Sequence, residues 1–305
     1  MAMLKKIEEA LTRASFCLLN AGVEQPRAEA EILLSHLMQI DRLQLFLNRT
    51  GEISPELDTV FQEYVRRRSC GEPLAYITGE KYFYGLRFFV DSNVLIPRPE
   101  TELIIECAMR WAERQHRQNN HRITCIDLGT GSGILAVTLA LMLPGATIWA
   151  VDYSEAALQV AKLNAKNHNV DKRINWYRGS YFDALREIRP KPHFNLIISN
   201  PPYLSREDMA KLPKEVKEFE PVEALDGGEE GLDGYRLILD SLPDYIQTPG
   251  LMLFEIGAGQ QKQVESLCAG TGLFSSITWC QDLAGHPRVL EGVLQQPEFK
   301  IITEE

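Results

Sequence analysis

The sequence predicts an α/β protein: a doubly wound sheet of seven strands with one strand reversed, preceded by a small helical domain and a β-hairpin linker. Three observations carry that prediction. From Ile123 onward, short apolar runs bounded by turn residues alternate with helical periodicity. The last two runs, Ile277 to Cys280 and Arg288 to Leu294, have no helix between them, so they must pair antiparallel. Before Gly71 the apolar spacing is helical, and between Gly71 and Pro99 it changes to short aromatic-rich runs.

The elements follow in order. Leu4, Ile7, Leu11 and Leu18 fall at helical spacing, Pro26 suits the first turn of a second helix, and Asp41 opens a third. Ser54-Pro55-Glu56-Leu57 is a helix start, with serine as N-cap and proline at the first helical position. Leu57, Val60, Phe61, Tyr64 and Val65 form one stripe that ends at Gly71. Lys81 to Tyr84 and Leu86 to Val90, split by Gly85, read as the hairpin. A helix opens at Thr101 or Glu100 and runs to about Arg114, and the polar segment Arg114 to Arg122 reads as a loop.

The remaining strands are expected at Ile123–Leu128, Thr147–Val151, Ile174–Tyr177, Phe194–Ser199 and Leu251–Ile256. The intervening helices are expected at Ile134–Leu143, Glu155–His168, Gly234–Tyr245 and Gln260–Ala269. The reversed strand is placed at the end of the sheet. The domain boundaries that follow are 1–75 helical, 76–99 hairpin, 100–296 sheet domain and 297–305 polar tail.

The net charge of −10 is local, since residues 205–255 alone carry −8. A protein gripping duplex DNA presents a basic face, so direct DNA binding is not expected. No stretch approaches the roughly 20 apolar residues of a membrane span, and the opening is no signal peptide, which points to the cytoplasm. The six cysteines are scattered, with no Cys-x-x-Cys, so neither a metal site nor a disulfide framework is indicated, and most should be reduced core residues.

Two loops carry the chemistry. Asp127-Leu128-Gly129-Thr130-Gly131-Ser132-Gly133 joins the first strand to the first helix of the sheet, and alternate glycines allow a tight turn and close approach to a ligand. Its spacing is Gly-x-Gly-x-Gly, not the dinucleotide Gly-x-Gly-x-x-Gly. Asp152 ends the second strand where a ribose diol would be held, and Tyr181 follows the third, placed either against an adenine or in the core. After the fourth strand, Asn200-Pro201-Pro202-Tyr203 is stiff, because both prolines fix φ and Asn200 is forced extended. The Asn200 side-chain carbonyl and the Pro201 backbone carbonyl suit a planar NH2 group on an sp² carbon, with the Tyr203 ring against its face. The simpler reading of these four residues is a stiffened turn.

With the glycine loop, Asn200-Pro201-Pro202-Tyr203 resembles the signature of S-adenosylmethionine-dependent amino-methyltransferases, shared by adenine-N6 DNA enzymes and the glutamine-N5 methyltransferases of peptide chain release factors. Further stretches resemble the latter family: Gly71-Glu72-Pro73 with Tyr76-Ile77-Thr78-Gly79, Ile96 to Glu102, Glu220-Pro221 with Gly227-Gly228, Gly231-Leu232-Asp233, Glu255-Ile256-Gly257, and Asp282 with Arg288. Leu283 to Pro287 departs from that pattern, which usually has an acidic residue before the arginine, and the last strand also ends differently. The resemblance implies the seven-stranded methyltransferase sheet and methyl transfer from S-adenosylmethionine to the side-chain nitrogen of the glutamine in a release factor's Gly-Gly-Gln. It implies catalytic roles for Asn200, Pro201, Pro202 and Tyr203, and cofactor binding by Gly129, Thr130, Gly131, Ser132, Gly133, Asp152, Tyr181 and Asn200. The helical domain would recognise the protein substrate. The alternative is an adenine-N6 nucleic-acid methyltransferase, which would offer the same four residues to a flipped base; a cofactor-binding scaffold without activity is the non-enzymatic reading.

Overall fold

The computed structural model describes residues 5–119 and 122–295. The expected tail at 297–305 lies outside them. The chain forms two compact units: residues up to Glu80 with Pro213–Phe219, and Lys81–Leu212 with the chain from Glu220. The reading from sequence cuts instead at 75 and sets the hairpin apart. Two buried rings explain the difference, because Phe83 and Phe88 of the hairpin belong to the sheet unit's core.

The first unit holds β1 (Lys5–Lys6), α1 (Ile7–Asn20), α2 (Pro26–Met38), α3 (Arg42–Leu47), β2 (Glu52–Ile53), α4 (Pro55–Ser69) and α5 (Leu74–Thr78). Its caps are those the sequence signals: Ser54 accepts from Leu57 N, and Asp41 with Gln44 closes a capping box on α3. Leu11, Leu18, Leu33, Leu34, Phe61 and Val65 fill the interior, whereas Val60 of the expected α4 stripe faces solvent. Arg68 is buried, and its guanidinium meets Glu29, the Glu72 carbonyl and Glu215. A buried guanidinium needs such partners, and Glu215 shows why Pro213–Phe219 belongs to this unit.

The second unit begins within β3 (Glu80–Phe83), which forms a hairpin with β4 (Leu86–Phe89) across Tyr84-Gly85. Both turn residues have positive φ, as a two-residue hairpin turn demands. Then come α6 (Glu102–Asn119), β5 (Thr124–Leu128), α7 (Ile134–Met142), β6 (Thr147–Asp152), α8 (Glu155–Asn167), β7 (Ile174–Arg178), β8 (Phe194–Ser199) and α9 (Arg206–Ala210). After α10 (Lys214–Phe219), which belongs to the first unit, come α11 (Asp233–Ser241), β9 (Ile246–Glu255), α12 (Gln261–Gly270), β10 (Phe274–Gln281) and β11 (Pro287–Leu294). The expected loop from Arg114 is a continuation of α6 to Asn119, with Arg114, His116 and Arg117 exposed on a helix they do not break; residues 120–121 of that expected loop lie outside the described residues.

Seven strands lie in the order β10-β11-β9-β8-β5-β6-β7. All run parallel except β11, which is antiparallel to both β9 and β10. The reversed strand is therefore one place in from the edge, between its neighbours, rather than at the end. Successive β5 side chains alternate between two cores: Cys125 joins α6, α7 and α8 on one face, while Ile126 and Leu128 join α11 and α12 on the other. The chain reverses its winding between β5 and β8, and a ligand crevice is expected at the carboxyl ends of those strands. Among the described residues no helix is long and apolar enough to cross a membrane.

Candidate active site

A cavity of about 710 Å³ opens at that edge, ringed by the ends of β5, β6, β7 and β8. The glycine loop forms one wall. Gly129 and Gly131 have φ of 79° and 54°, and a Cβ on Gly131 would meet nothing within 4 Å, so its face is open to a ligand. Gly133 does something else. It caps α7 at φ 82°, and a Cβ there would lie 3.0 Å from the Ala161 Cβ, so this glycine serves close helix packing and does not line the cavity.

Asp127 braces the loop from beneath. Its Oδ2 accepts from Thr130 Oγ1 at 2.6 Å and from Ala136 N at 3.2 Å, and burial pushes its carboxyl up to about 7. Asp152 lies at the cavity wall, where Oδ2 accepts from Gly131 N at 2.8 Å and Oδ1 from Ser154 N at 2.9 Å. The cap of α8 is Ser154, which leaves Asp152 free of that duty. Burial raises its carboxyl above the usual range. The Tyr181 ring packs against the second core and also walls the cavity. Burial pushes its phenol up to about 12.

Ser199, the last residue of β8, donates to the Leu128 carbonyl at 2.6 Å and so ties the two strand ends of the switch point together. Asn200 follows at the cavity wall, where its Nδ2 donates to Thr101 Oγ1 at 3.3 Å. Thr101 and Asn200 both favour the charged form of the Glu255 carboxylate, which is 2% exposed and whose Oε2 has no hydrogen-bond partner among the described residues. Burial pushes Glu255 up to about 7, with Glu100 adding in the same direction and Arg288 opposing. Sequence reasoning missed Thr101 and Glu255 as site residues. Glu255 ends an apolar strand, and a carboxylate in that position is the signal that could have found it.

The rest of Asn200-Pro201-Pro202-Tyr203 divides. Pro202 lines the cavity, whereas Pro201 is buried against Gly234 and the Tyr203 ring lies against Gly257. Residues 226–234 lie directly over these four. A Cβ on Gly227 would come within 2.7 Å of the Pro202 carbonyl, and one on Gly231 within 2.3 Å of the Tyr203 carbonyl, so only glycine permits the contact. Gln260 closes the arrangement by donating to the Tyr203 carbonyl at 2.8 Å. Arg98, which lines the cavity, donates to the buried Glu220 at 2.6 Å and so also pins the linker. At the far edge, Arg288 finds its acid in Asp282 at 2.9 Å, which supplies the partner missing from the segment just before it.

The cavity suits an adenosyl group. It has an open glycine face, a carboxylate at the end of the second strand, an aromatic wall, and the volume of a cofactor pocket. Comparison with known proteins agrees. Residues 9–79 match the family model described as PrmC N-terminal domain, and residues 114–217 match the methyltransferase small domain. A release factor glutamine methyltransferase of Geobacter sulfurreducens is 41% identical over 275 residues, 90% of this chain and 92% of that one. Those of Chlorobaculum tepidum and Bacillus anthracis are 38% and 35% identical, over 85% and 93% of this chain and 87% and 98% of theirs. Among solved structures, the human METTL16 N-terminal domain in complex with SAH shares the fold at a TM-score of 0.50 and 19% identity, covering 77% of this chain and 84% of that one.

Proposed function

The chain belongs to the release factor glutamine methyltransferases, and on that premise we propose how its residues carry a methyl group from S-adenosylmethionine to a release-factor glutamine. Gly129, Thr130, Gly131 and Ser132 would hold the cofactor, Gly133 sets the helix behind them, Asp152 would take the ribose and Tyr181 the base. Bound there, it supplies an electrophilic methyl on a positively charged sulfur.

The acceptor is a carboxamide nitrogen, a poor nucleophile because its lone pair is delocalised into the carbonyl. Asn200 Oδ1 and the Pro201 carbonyl accept its two hydrogens, which stabilises positive charge as it develops on nitrogen. Thr101 accepts from the Asn200 NH2, so Oδ1 is the end left for substrate. The Glu255 carboxylate also polarises the Asn200 amide in a dry site, where such an effect is large. Pro202 stiffens the loop, and Tyr203 steadies the amide plane. Asn200 and Pro201 would hold the acceptor nitrogen in line with the methyl the cofactor would supply, and the proton displaced from the methylated amide would pass to water.

The observation that carries this reading is that Asn200 and the glycine loop wall one cavity. The helical unit, with Phe46 and Leu47 of α3 58% and 70% exposed, is suited to grip the body of the release factor. A translation factor as substrate places the enzyme in the cytoplasm. Incubation with labelled S-adenosylmethionine and either a release factor or DNA tests the assignment: label should enter the glutamine, and label in adenine would reverse it.

A further inference from the structure

Cys107 on α6 and Cys280 on β10 are 173 residues apart in the chain, yet their sulfurs stand 2.8 Å apart. Arg110, one turn beyond Cys107, brings a single nitrogen to both. Its Nη2 lies 3.1 Å from Cys107 Sγ, 2.7 Å from Cys280 Sγ and 2.8 Å from Glu291 Oε1. Two thiols and a carboxylate this close have the makings of a metal site. Here the guanidinium nitrogen already takes the cation's seat. What remains is a dithiol beside a fixed positive charge, the environment that favours a thiolate.

The two sulfurs are unequal. Cys107 is buried and donates its S–H to Cys280, which holds Cys280 below the usual thiol range with Arg110 adding to the effect. The same hydrogen bond, and then burial, raises Cys107. Glu291 opposes the thiolate, and its 3.0 Å contact with Cys280 Sγ is a hydrogen bond only while Cys280 is protonated. Cys280 and Arg110 are partly exposed, so a small oxidant can reach the pair.

We propose that Cys107 and Cys280 are a reversible redox dithiol, converted by a peroxide into an intrachain disulfide. The Cys280 thiolate attacks one peroxide oxygen, the O–O bond breaks, and hydroxide leaves, giving Cys280 sulfenic acid. The Cys107 sulfur then displaces that hydroxyl, its proton leaves with the oxygen as water, and the S–S bond forms. The protein loses two electrons and the peroxide gains them. A disulfide of about 2.05 Å requires the sulfurs to close by less than about 1 Å. None of the four residues lines the cofactor cavity, so the proposal stands apart from methyl transfer.

The test uses the reduced full chain. At neutral pH, iodoacetamide should alkylate Cys280 about tenfold faster than the more exposed Cys17 and Cys70, and Arg110→Gln should remove that advantage while leaving methyl transfer unchanged. After brief hydrogen peroxide, a non-reducing digest should give a Cys107–Cys280 linked peptide that dithiothreitol releases. The wild-type measurements decide the matter even if the variant fails to fold. Equal alkylation rates, over-oxidation of Cys280 without a link, or zinc retained through dialysis on the two sulfurs would each overturn it.

Discussion

Thr101 Oγ1 and Asn200 Nδ2 are 3.3 Å apart although 99 residues separate them, and both side chains favour the charged form of the buried Glu255 carboxylate. An asparagine amide left to itself is free to turn over, exchanging acceptor for donor. Thr101 removes that freedom by accepting from Nδ2. Thr101→Val keeps the shape and deletes the acceptor. Steady-state kinetics should show kcat lowered about tenfold, with KM for the release factor and cofactor affinity near wild type. A rise in KM alone would assign Thr101 to packing.

Glu255 adds a pH dependence. Its carboxyl titrates at about 7, so kcat should rise as pH climbs from about 6 to 8 and the carboxylate forms behind Asn200. Glu255→Gln should lower kcat and flatten that limb. Asp127 also titrates at about 7 and is the control: its buried oxygen serves the glycine loop, so Asp127→Asn should change cofactor affinity and leave the limb in place.

The same two carboxyls give stability a definite slope. Both are raised on folding, so between about pH 4.5 and 7 the folded chain binds more protons than the unfolded one, and stability falls as pH rises through that window. A carboxyl that titrates one pH unit higher in the folded chain than in the unfolded one accounts for about 1.4 kcal/mol, which makes the combined loss a few kcal/mol by about pH 8. Urea unfolding at about pH 5.5 and about pH 8 measures it. Stability that rises with pH across this range would remove both assignments.

The glycines of the loop should separate by role. Gly131→Ala meets no atom but must hold φ at 54°, costing about 1 kcal/mol, and it places a methyl on the open face, so cofactor affinity should fall far more than stability. Gly133→Ala drives its methyl to 3.0 Å from Ala161 at φ 82° and should cost about 2 kcal/mol or more of stability. Calorimetric titration beside thermal melts distinguishes the two.

Phe46→Ser and Leu47→Ser on α3 remove exposed apolar surface without touching the interior. The KM for an intact release factor should rise several-fold, while a short Gly-Gly-Gln peptide is methylated as before. Equal effects on both substrates would place the recognition elsewhere.

Much of this was legible in the sequence because the signals were local. Ser54-Pro55 starts α4, strand and helix periods alternate through the sheet, and the glycine loop and Asn200 fall at strand ends, where position implies the cavity. What escaped depended on distance in the chain. Thr101 reaches Asn200 and Glu255 only after β8 and β9 pair, and Cys107 meets Cys280 only after α6 lies over the sheet edge. The glycines at 227 and 231 were visible, but not that they yield space to the Pro202 and Tyr203 carbonyls. The reversed strand is misplaced at the end of the sheet for a related reason: two final strands fix their pairing, not which of them reaches β9.

The most direct measurement is the intact mass and peptide map of a release factor incubated with saturating S-adenosylmethionine and either wild-type enzyme or Asn200→Ala, with cofactor binding titrated for both. One methyl should appear on the Gly-Gly-Gln glutamine with wild type, and transfer should slow by roughly a hundredfold or more with the variant, at near-equal cofactor affinity. Transfer by the variant at the wild-type rate, or equal modification of a release factor carrying glutamate in place of that glutamine, would contradict this assignment.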